Sequence, residues 1–454
     1  MKKRYLVFLC IASSLCVMSC SKTNEGSVTA NPFDTTSESS NNVRDKIVVI
    51  SDLHLGNDLA YSENVKHLKR LQQFLNEVRS SQTIRELVIA GDMFDEWYIP
   101  TRADTYSGGS QASFIKKTVA ANQSIFDVLN GIIQDKKIKL TYIPGNHDMG
   151  FTPENVNIAM PGVNQARDGS DKYGIGTYHP DGYDQIAIEH GHRYDFFCAL
   201  TPKANEADAP GATLAPGYFF ARIAANSFTD PTTQAAATKV PVVVLNNPGD
   251  AEQYSKYIYY TLWKTVMEGV IYVKDNFSDP IIKTNIGNYT KTYAINDILP
   301  YNSADGSIRM NLYNGLFTQT NWNEREKYNN VMVMTDINKA IVGSLKTQYI
   351  DDQASSQYFR NPLSNVRIVV FGHTHIPMIK AYTNLDGAPC IYANSGTWED
   401  QKTRDKSAVT EQDTLKMHFV MIAPVKSNKK KLQVALFQYR YGKHSQVDGK
   451  EIDL

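Results

Sequence analysis

The chain has 454 residues, 42% of them hydrophobic and 21% charged, with 47 Lys plus Arg against 47 Asp plus Glu. That length allows two or three domains and that apolar fraction a sizeable core, which excludes wholesale disorder. A formal net charge of zero offers no bulk field for a polyanion, so nucleic acid is not expected as a partner.

Met1-Lys2-Lys3-Arg4, an apolar run from Tyr5 to Met18 and then Ser19-Cys20 read as a signal peptide over residues 1–19. The run is too short for a permanent membrane span, and no later stretch reaches about 18 uninterrupted apolar residues. Val17-Met18-Ser19-Cys20 resembles a bacterial lipobox, which implies lipid on Cys20; an ordinary signal peptide with a chance cysteine is the alternative. The expectation is an exported bacterial lipoprotein, periplasmic or at the outer membrane or cell surface, held to the membrane through Cys20. Losing Lys2, Lys3 and Arg4 leaves 44 basic against 47 acidic residues, a formal charge of minus three. Residues 20–44, rich in Ser, Thr and Asn after the cysteine, read as a flexible tether. Of the five cysteines, only Cys198 and Cys390 remain in the folded part. An oxidising compartment permits a disulfide between them, and two separate buried thiols fit equally well.

From residue 45 onward, short apolar runs alternate with helical patterns and end in polar clusters, an α/β arrangement. Ile47–Ile50 leads into Ser51-Asp52-Leu53-His54, Leu87–Ala90 into Gly91-Asp92-Met93-Phe94-Asp95, and Ile138–Ile143 into Pro144-Gly145-Asn146-His147-Asp148. Ile186–Ile188 leads into Glu189-His190-Gly191-His192, and Val366–Phe371 into Gly372-His373-Thr374-His375. Helices are predicted at about 63–79 and 113–134, and further strands near Ile391, over 417–422 and over 432–439. The Tyr- and Asn-rich segment 199–363 interrupts this core. Its clearest helix, about 252–273, carries Tyr254, Ile258, Leu262, Val266 and Val270 on one stripe and Tyr259, Trp263, Met267 and Ile271 on the next, a face broad enough to mean burial. The boundaries are therefore a core of 45–198 plus 364–443, an insertion of 199–363 and a tail of 444–454. Lys429-Lys430-Lys431 reads as a solvated turn between two strands.

Each polar cluster alone is weak, since a lone histidine is usually a satisfied polar group. Together they put carboxylates, an amide oxygen and imidazoles at the C-terminal ends of strands, where open α/β sheets build their sites. The set contains no thiolate, which suits harder divalent metals rather than a structural zinc site. Carboxylates are present to bridge two cations, a device for polarising a phosphoryl group and activating water.

Asp52-x-His54, Gly91-Asp92-x-x-Asp95, Gly145-Asn146-His147-Asp148, His190 and Gly372-His373-x-His375, in this order, resemble the calcineurin-like metallophosphoesterase superfamily over the whole inferred core. The resemblance implies a four-layer α/β/β/α sandwich, here with a large, mainly helical insertion. It implies two divalent ions (Mn, Fe, Zn or Mg), one held by Asp52, His54 and His375, the other by Asn146, His190 and His373, with Asp92 bridging. It also implies that a hydroxide bridging the metals attacks phosphorus while His147, oriented by Asp95, protonates the leaving oxygen. An imidazole beside two cations needs such a carboxylate to stay protonated and aimed. His192 is an alternative to His190 as ligand, and Arg193 is a candidate phosphate clamp or a surface cation. Asn394-Ser395-Gly396-Thr397-Trp398 looks like the segment that closes such folds.

Glu96-Trp97 stands where the Ser/Thr protein phosphatases of this superfamily have Arg-Gly. Gly91-Asp92-x-Phe94-Asp95-x-Trp97 and His190-Gly191-x-x-x-Asp195 look more like the UDP-2,3-diacylglucosamine pyrophosphatase branch, although His147 replaces that branch's Arg and its cytoplasmic role does not suit an exported chain. The expected activity is hydrolysis of a small phosphate ester or phosphoanhydride. A phosphodiesterase, or a UDP-sugar or nucleotide pyrophosphatase, is the nearest alternative, and a non-catalytic surface glycan-binding lipoprotein is the rival of another class. The insertion, leaving next to His190, is a candidate cap.

Overall fold

The computed structural model describes residues 31–33, 43–168, 174–230, 232–400, 413–425, 427–440 and 442–454. The signal peptide, Cys20 and most of the predicted tether lie outside the described residues.

The first half of the core runs β1 (Lys46–Ile50), α1 (Leu68–Ser80), β2 (Ile84–Ala90), α2 (Gln111–Ala121), α3 (Gln123–Asp135), β3 (Lys139–Ile143), α4 (Pro153–Ala159), β4 (Asn164–Gln165) and β5 (Ile186–Ile188). The insertion holds helices α5 (Gly217–Thr229) and α6 (Ala251–Gly269), two small ladders, β6 (Pro280–Lys283) with β7 (Thr292–Ala294) and β8 (Tyr301–Asn302) with β9 (Ile308–Arg309), then α7 (Gln319–Tyr328), α8 (Ile337–Gly343) and α9 (Thr347–Ala354). The core resumes with β10 (Ile368–Phe371), β11 (Met378–Thr383), β12 (Pro389–Asn394), β13 (His418–Val425), β14 (Asn428–Arg440) and β15 (Lys443–Asp453).

Two sheets result, in the orders β15-β14-β13-β1-β2-β3-β4 and β11-β12-β10-β5. β1 to β4 pair in parallel, as do β12, β10 and β5, whereas β13, β14 and β15 join antiparallel. Strands buried on both faces explain the continuous apolar runs. Ile47, Val49, Val88, Ile188, Ile368 and Val370 point into the space between the sheets. Their neighbours Val48, Ile50, Leu87 and Ile89 face helices α1 and α3 outside one sheet, and Val369, Phe371 and Ala187 face the α9 side of the other. The architecture is thus an α/β/β/α sandwich. Among the described residues no helix is long and apolar enough to cross a membrane.

Several elements differ from the expected ones, each for a local reason. The first helix begins at Leu68 rather than Glu63, because Asp400 takes the backbone N–H groups of Val65 and Lys66 at 2.8 and 2.9 Å. The predicted 113–134 helix breaks at Asn122, whose buried amide donates to the Gly56 carbonyl at 2.9 Å and so ties the helix pair to the loop after His54. Residues 444–454 are not a tail: β15 forms the outer edge of the larger sheet, with His444 and Ile452 buried. Its polar sequence, with lysines at 443 and 450, hides the strand while suiting an exposed edge. Lys430 and Lys431 lie inside β14 rather than in the turn before it. Cys198 and Cys390 are both buried and are not joined by a disulfide. On α6, Tyr254 is exposed, and the buried face is Tyr259, Leu262, Trp263, Val266 and Met267.

The insertion is no detached lid. Its Tyr259, Trp263, Phe317 and Trp322 belong to the same continuous apolar cluster as Trp97, Phe196 and Phe197 of the core. Two fully buried arginines stitch it down. Arg222 of α5 donates to the carbonyls of Ile99, Pro100 and Ala103. Arg325 of α7 donates to those of Asp195, Phe196 and Ala199.

The tether is also shorter than its composition suggests. Phe33 is fully buried against Phe74, Phe419 and His444, with ring centroids 5.7, 5.5 and 4.8 Å away. Its carbonyl accepts from Ser81 Oγ and Thr83 Oγ1 at 3.0 and 2.5 Å, and Lys46 Nζ donates to the Pro32 carbonyl at 2.6 Å. Because this short segment can lift off without breaking the core, Phe33→Ala is expected to lower stability by roughly 2 kcal/mol, the transfer free energy of the ring. Urea denaturation measures this, and an unchanged midpoint would contradict the docked arrangement.

Candidate metal centre

The five polar clusters meet at the C-terminal ends of β1, β2, β3, β5 and β10. The turns there are forced: Asp52, His54, Asp92, His373 and His375 all have positive φ, from 47° to 67°, which non-glycine residues avoid. Glycines make room for them. A Cβ on Gly91 would stand 2.3 Å from His190 Nδ1, one on Gly145 would stand 2.2 Å from Asp92 Oδ1, and one on Gly372 would stand 2.7 Å from Asp52 Oδ2. Asp148 closes the arrangement from below, accepting from the N–H groups of Met93, Phe94 and Gly145 at 3.0, 3.2 and 2.6 Å. Burial and the nearby Asp92 push the Asp148 carboxyl up to about 6.

Asp52, His54 and His375 offer ligand atoms within 4.8 Å of one another, and so do Asp92, His190 and His373. His190 Nε2 lies 3.2 Å from Asp92 Oδ2 and 3.1 Å from Asn146 Oδ1. Asp92 Oδ2 is also 3.8 Å from His54 Nε2, which puts it between the two groups. All seven side chains are buried, His375 being the most exposed at 9%.

The donor set fits divalent cations. His54 Nε2 and His375 Nε2 face each other at 3.4 Å, and Asp52 Oδ1 lies 2.9 Å from His375 Nε2 while having no hydrogen-bond partner of its own. Buried oxygen and nitrogen donors converging this closely make an arrangement that a shared cation would suit. Each far ring nitrogen has an oxygen close to it. His54 Nδ1 is 3.2 Å from Glu63 Oε2, His190 Nδ1 bonds the Ala90 carbonyl at 2.8 Å, His373 Nε2 meets Asp195 Oδ2 at 3.1 Å, and His375 Nδ1 is 3.4 Å from Glu399 Oε1. Second partners of this kind fix which nitrogen points inward and raise ligand basicity.

The charge balance agrees. Burial pushes the Asp92 carboxyl up, but the imidazoles of His190, His147 and His54 hold it well below the usual carboxylate range. Burial pulls His54 down, and Asp95 and Glu63 outweigh it to hold the ring well above its ordinary value.

His147 stands apart from both groups of three. Its Nδ1 is 2.7 Å from Asp95 Oδ1, its backbone N–H donates to Asp92 Oδ1 at 2.8 Å, and its ring lies against Trp97 with centroids 4.9 Å apart. Asp95 is fixed in turn by the N–H groups of Trp97 and Tyr98 at 3.0 and 2.8 Å. Nδ1 is therefore committed to Asp95, and Nε2 is the nitrogen left for a substrate.

One expectation changes, and one alternative falls away. Arg193 is 4% exposed and consumed by partners: Nε by Glu189 at 2.7 Å, Nη1 by Asp168 at 2.8 Å and Nη2 by Thr177 Oγ1 at 3.1 Å. This geometry leaves it no free fork for phosphate, and it knits Glu189 to the loop holding Asp168. His192 is buried, and neither of its ring nitrogens has a hydrogen-bond partner; His190, rather than His192, faces Asp92 and Asn146. The segment 394–398 is structural support for the ligands: Thr397 Oγ1 and the Trp398 N–H both reach the Asp52 carbonyl at 3.1 Å.

Sequence reasoning missed Glu63, Glu399 and the orienting role of Asp195. None stands at a fixed spacing from the imidazole it serves, and only Asp195 fell inside a quoted motif. Glu63→Ala is expected to weaken metal binding roughly 10- to 100-fold while leaving the fold intact. Titration of metal into the metal-free protein reads this, and equal affinity would remove the orienting role.

A family model described as calcineurin-like phosphoesterase matches residues 45–213. That stretch carries every one of these positions up to His190 and Asp195; His373, His375 and Glu399 lie beyond it. No curated protein matches the chain.

Proposed function

Starting from a metal-dependent phosphoric ester hydrolase, the class that the family match and the clustered ligands give this chain, we propose that it is a dinuclear phosphoesterase acting on a small phosphate ester or phosphoanhydride outside the cytoplasm. The observation that carries this reading is the convergence of seven buried donors beside an imidazole already aligned by a carboxylate.

Asp52, His54 and His375 would hold one cation, Asn146, His190 and His373 the other, and Asp92 would serve both. When bound, such cations supply Lewis acidity toward phosphoryl oxygens and lower the pKa of water. The protein's own contribution is geometric and protonic. Asp95 keeps the proton on His147 Nδ1 and orients the ring, so that Nε2 can donate to the departing oxygen. Trp97 keeps water from the rear face of that ring. With Arg193 consumed in ion pairs, negative charge on the substrate is left to the metals.

The motif likeness to the UDP-2,3-diacylglucosamine pyrophosphatase branch makes a nucleoside diphosphate sugar a necessary arm of any substrate panel, beside monoesters and diesters. Export and lipidation at Cys20 complete the proposal. With Pro32 held by Lys46 and Phe33 buried, residues 21–31 separate the lipid from the folded domain. Twelve steps of extended chain reach at most about 43 Å, which would confine the enzyme to substrates at the membrane surface.

His147→Asn is expected to retain close to two metal ions per chain and to lose about 10²- to 10⁴-fold in kcat. Chelation of the wild type should abolish hydrolysis, and added Mn, Fe, Zn or Mg should restore it. Metal analysis alongside rates on a model monoester, a diester, a nucleotide and a UDP-sugar makes the test. A metal-free protein that binds oligosaccharide and hydrolyses none of the four would favour the glycan-binding alternative.

A further inference from the structure

The insertion carries a buried carboxylate that the chemistry above does not use. Asp351, on α9, is wholly inaccessible and lies beneath the turn bearing two of the ligand imidazoles. Its Oδ1 accepts from the Tyr392 hydroxyl, from Thr374 Oγ1 at 3.3 Å and from Asn394 Nδ2 at 3.4 Å; its Oδ2 has no hydrogen-bond partner. The nearby Lys380 ammonium pairs instead with Asp352, at 3.5 Å.

Thr374 is the residue between His373 and His375. Its neighbours both sit at positive φ, 67° and 60°, so the turn is held against its own backbone preference. Asn394 Nδ2 secures the same turn through the Gly372 carbonyl at 2.7 Å and Thr374 Oγ1 at 3.0 Å. Asp351 orders that amide, the Tyr392 hydroxyl and the Thr374 hydroxyl about one oxygen. An unpaired carboxylate buried this deeply is unfavourable by itself. A residue needed only to fill space under β12 would be apolar.

We propose that Asp351 is a positioning residue for the metal centre, through which the insertion fixes the His373-Thr374-His375 turn and so sets affinity at both cation sites. The inference rests on the dinuclear reading above. It makes the insertion a part of the metal-binding apparatus, delivered from a segment that carries no ligand.

The experiment is metal titration of the metal-free full-length chain, followed by calorimetry and by metal content after gel filtration, with the melting temperature of the metal-free protein measured in parallel. Asp351→Ala is expected to weaken binding roughly 10- to 100-fold. Asp351→Asn, which keeps the accepting oxygen, should stay within about threefold of wild type, since positioning of this kind needs the acceptor rather than the charge. Thr374→Val replaces the hydroxyl by a methyl group of similar size and should reproduce the loss seen for Asp351→Ala, which covers the case in which that variant does not fold. A lower melting temperature with unchanged metal affinity, or Asp351→Asn falling as far as Asp351→Ala, would overturn the positioning role. A wild-type chain that takes up no metal would sink the dinuclear reading and this inference together, whereas normal wild-type uptake with unchanged variants sinks this inference alone.

Discussion

Everything at the centre depends on five residues held in a backbone conformation that L-amino acids disfavour. Asp52, His54, Asp92, His373 and His375 each turn the chain sharply at a strand end, and each such turn costs on the order of 1–3 kcal/mol. Summed, that approaches the net stability of a whole domain. The strain persists because the turns support one another. Asp52 N–H donates to the Gly91 carbonyl and His54 N–H to the Asp92 carbonyl, both at 3.0 Å, and His373 N–H donates to Asp52 Oδ2 at 3.1 Å. Each strand end is thus braced by the motif of another, which is why side chains scattered over more than 320 positions can be fixed around one small volume.

The second constraint is electrostatic. Asp52, Asp92, Asp95, Asp195, Glu63 and Glu399 are all buried, and among the described residues the charge partners beside them include the site's imidazoles, Arg325 near Asp195 and Lys416 on Glu399 at 2.9 Å. Buried carboxylates without cations are costly, so a core of this composition favours positive charge supplied from outside. In the dinuclear reading proposed above, Glu63, Asp195 and Glu399 would have two functions at once. They would add negative charge to hold the cations, and they would turn the imidazole lone pairs toward them.

The residues that converge at the candidate centre were the most legible in the sequence, for a physical reason. Candidate ligands follow directly from strand ends, so an apolar run plus Asp-x-His or His-x-His locates both the element and the polar side chain. The two cores were readable in the same way, since Ile47 to Ile50 is apolar at every position because alternate residues face different layers. What the sequence concealed acts through space. Glu63 reads as the start of a helix and is instead turned toward His54; β15 reads as a tail because an edge strand leaves most of its side chains at least partly exposed. Arg193 reads as a phosphate clamp because its type and place are right, and only the partners Glu189 and Asp168, one of them 25 positions away, remove it from that role. Phe33 is a single aromatic in a polar tract, with nothing local to announce the pocket formed by α1, β13 and β15.

The insertion shows most plainly why a motif reading stops short. A cap should touch the core at a hinge and at the substrate. This one enters the core, through aromatic side chains continuous with Trp97 and through Arg222, Arg325 and Asp351, each buried and each bonded to a segment that carries a functional side chain. Arg222 secures the loop after Asp95 and Trp97, Arg325 the turn containing Asp195, and Asp351 the turn containing His373 and His375. The α5 helix reaches further still: Gly217 packs so closely that a Cβ there would stand 3.1 Å from Trp97, the ring that lies on His147. Because packed interiors transmit displacement rather than absorb it, a change in these helices is expected to be felt at His147 and at the turn bearing His373 and His375. Removing the segment is therefore expected to disturb the candidate centre itself, so any part the insertion plays in substrate choice is better read from single substitutions at the rim, with the insertion kept in place.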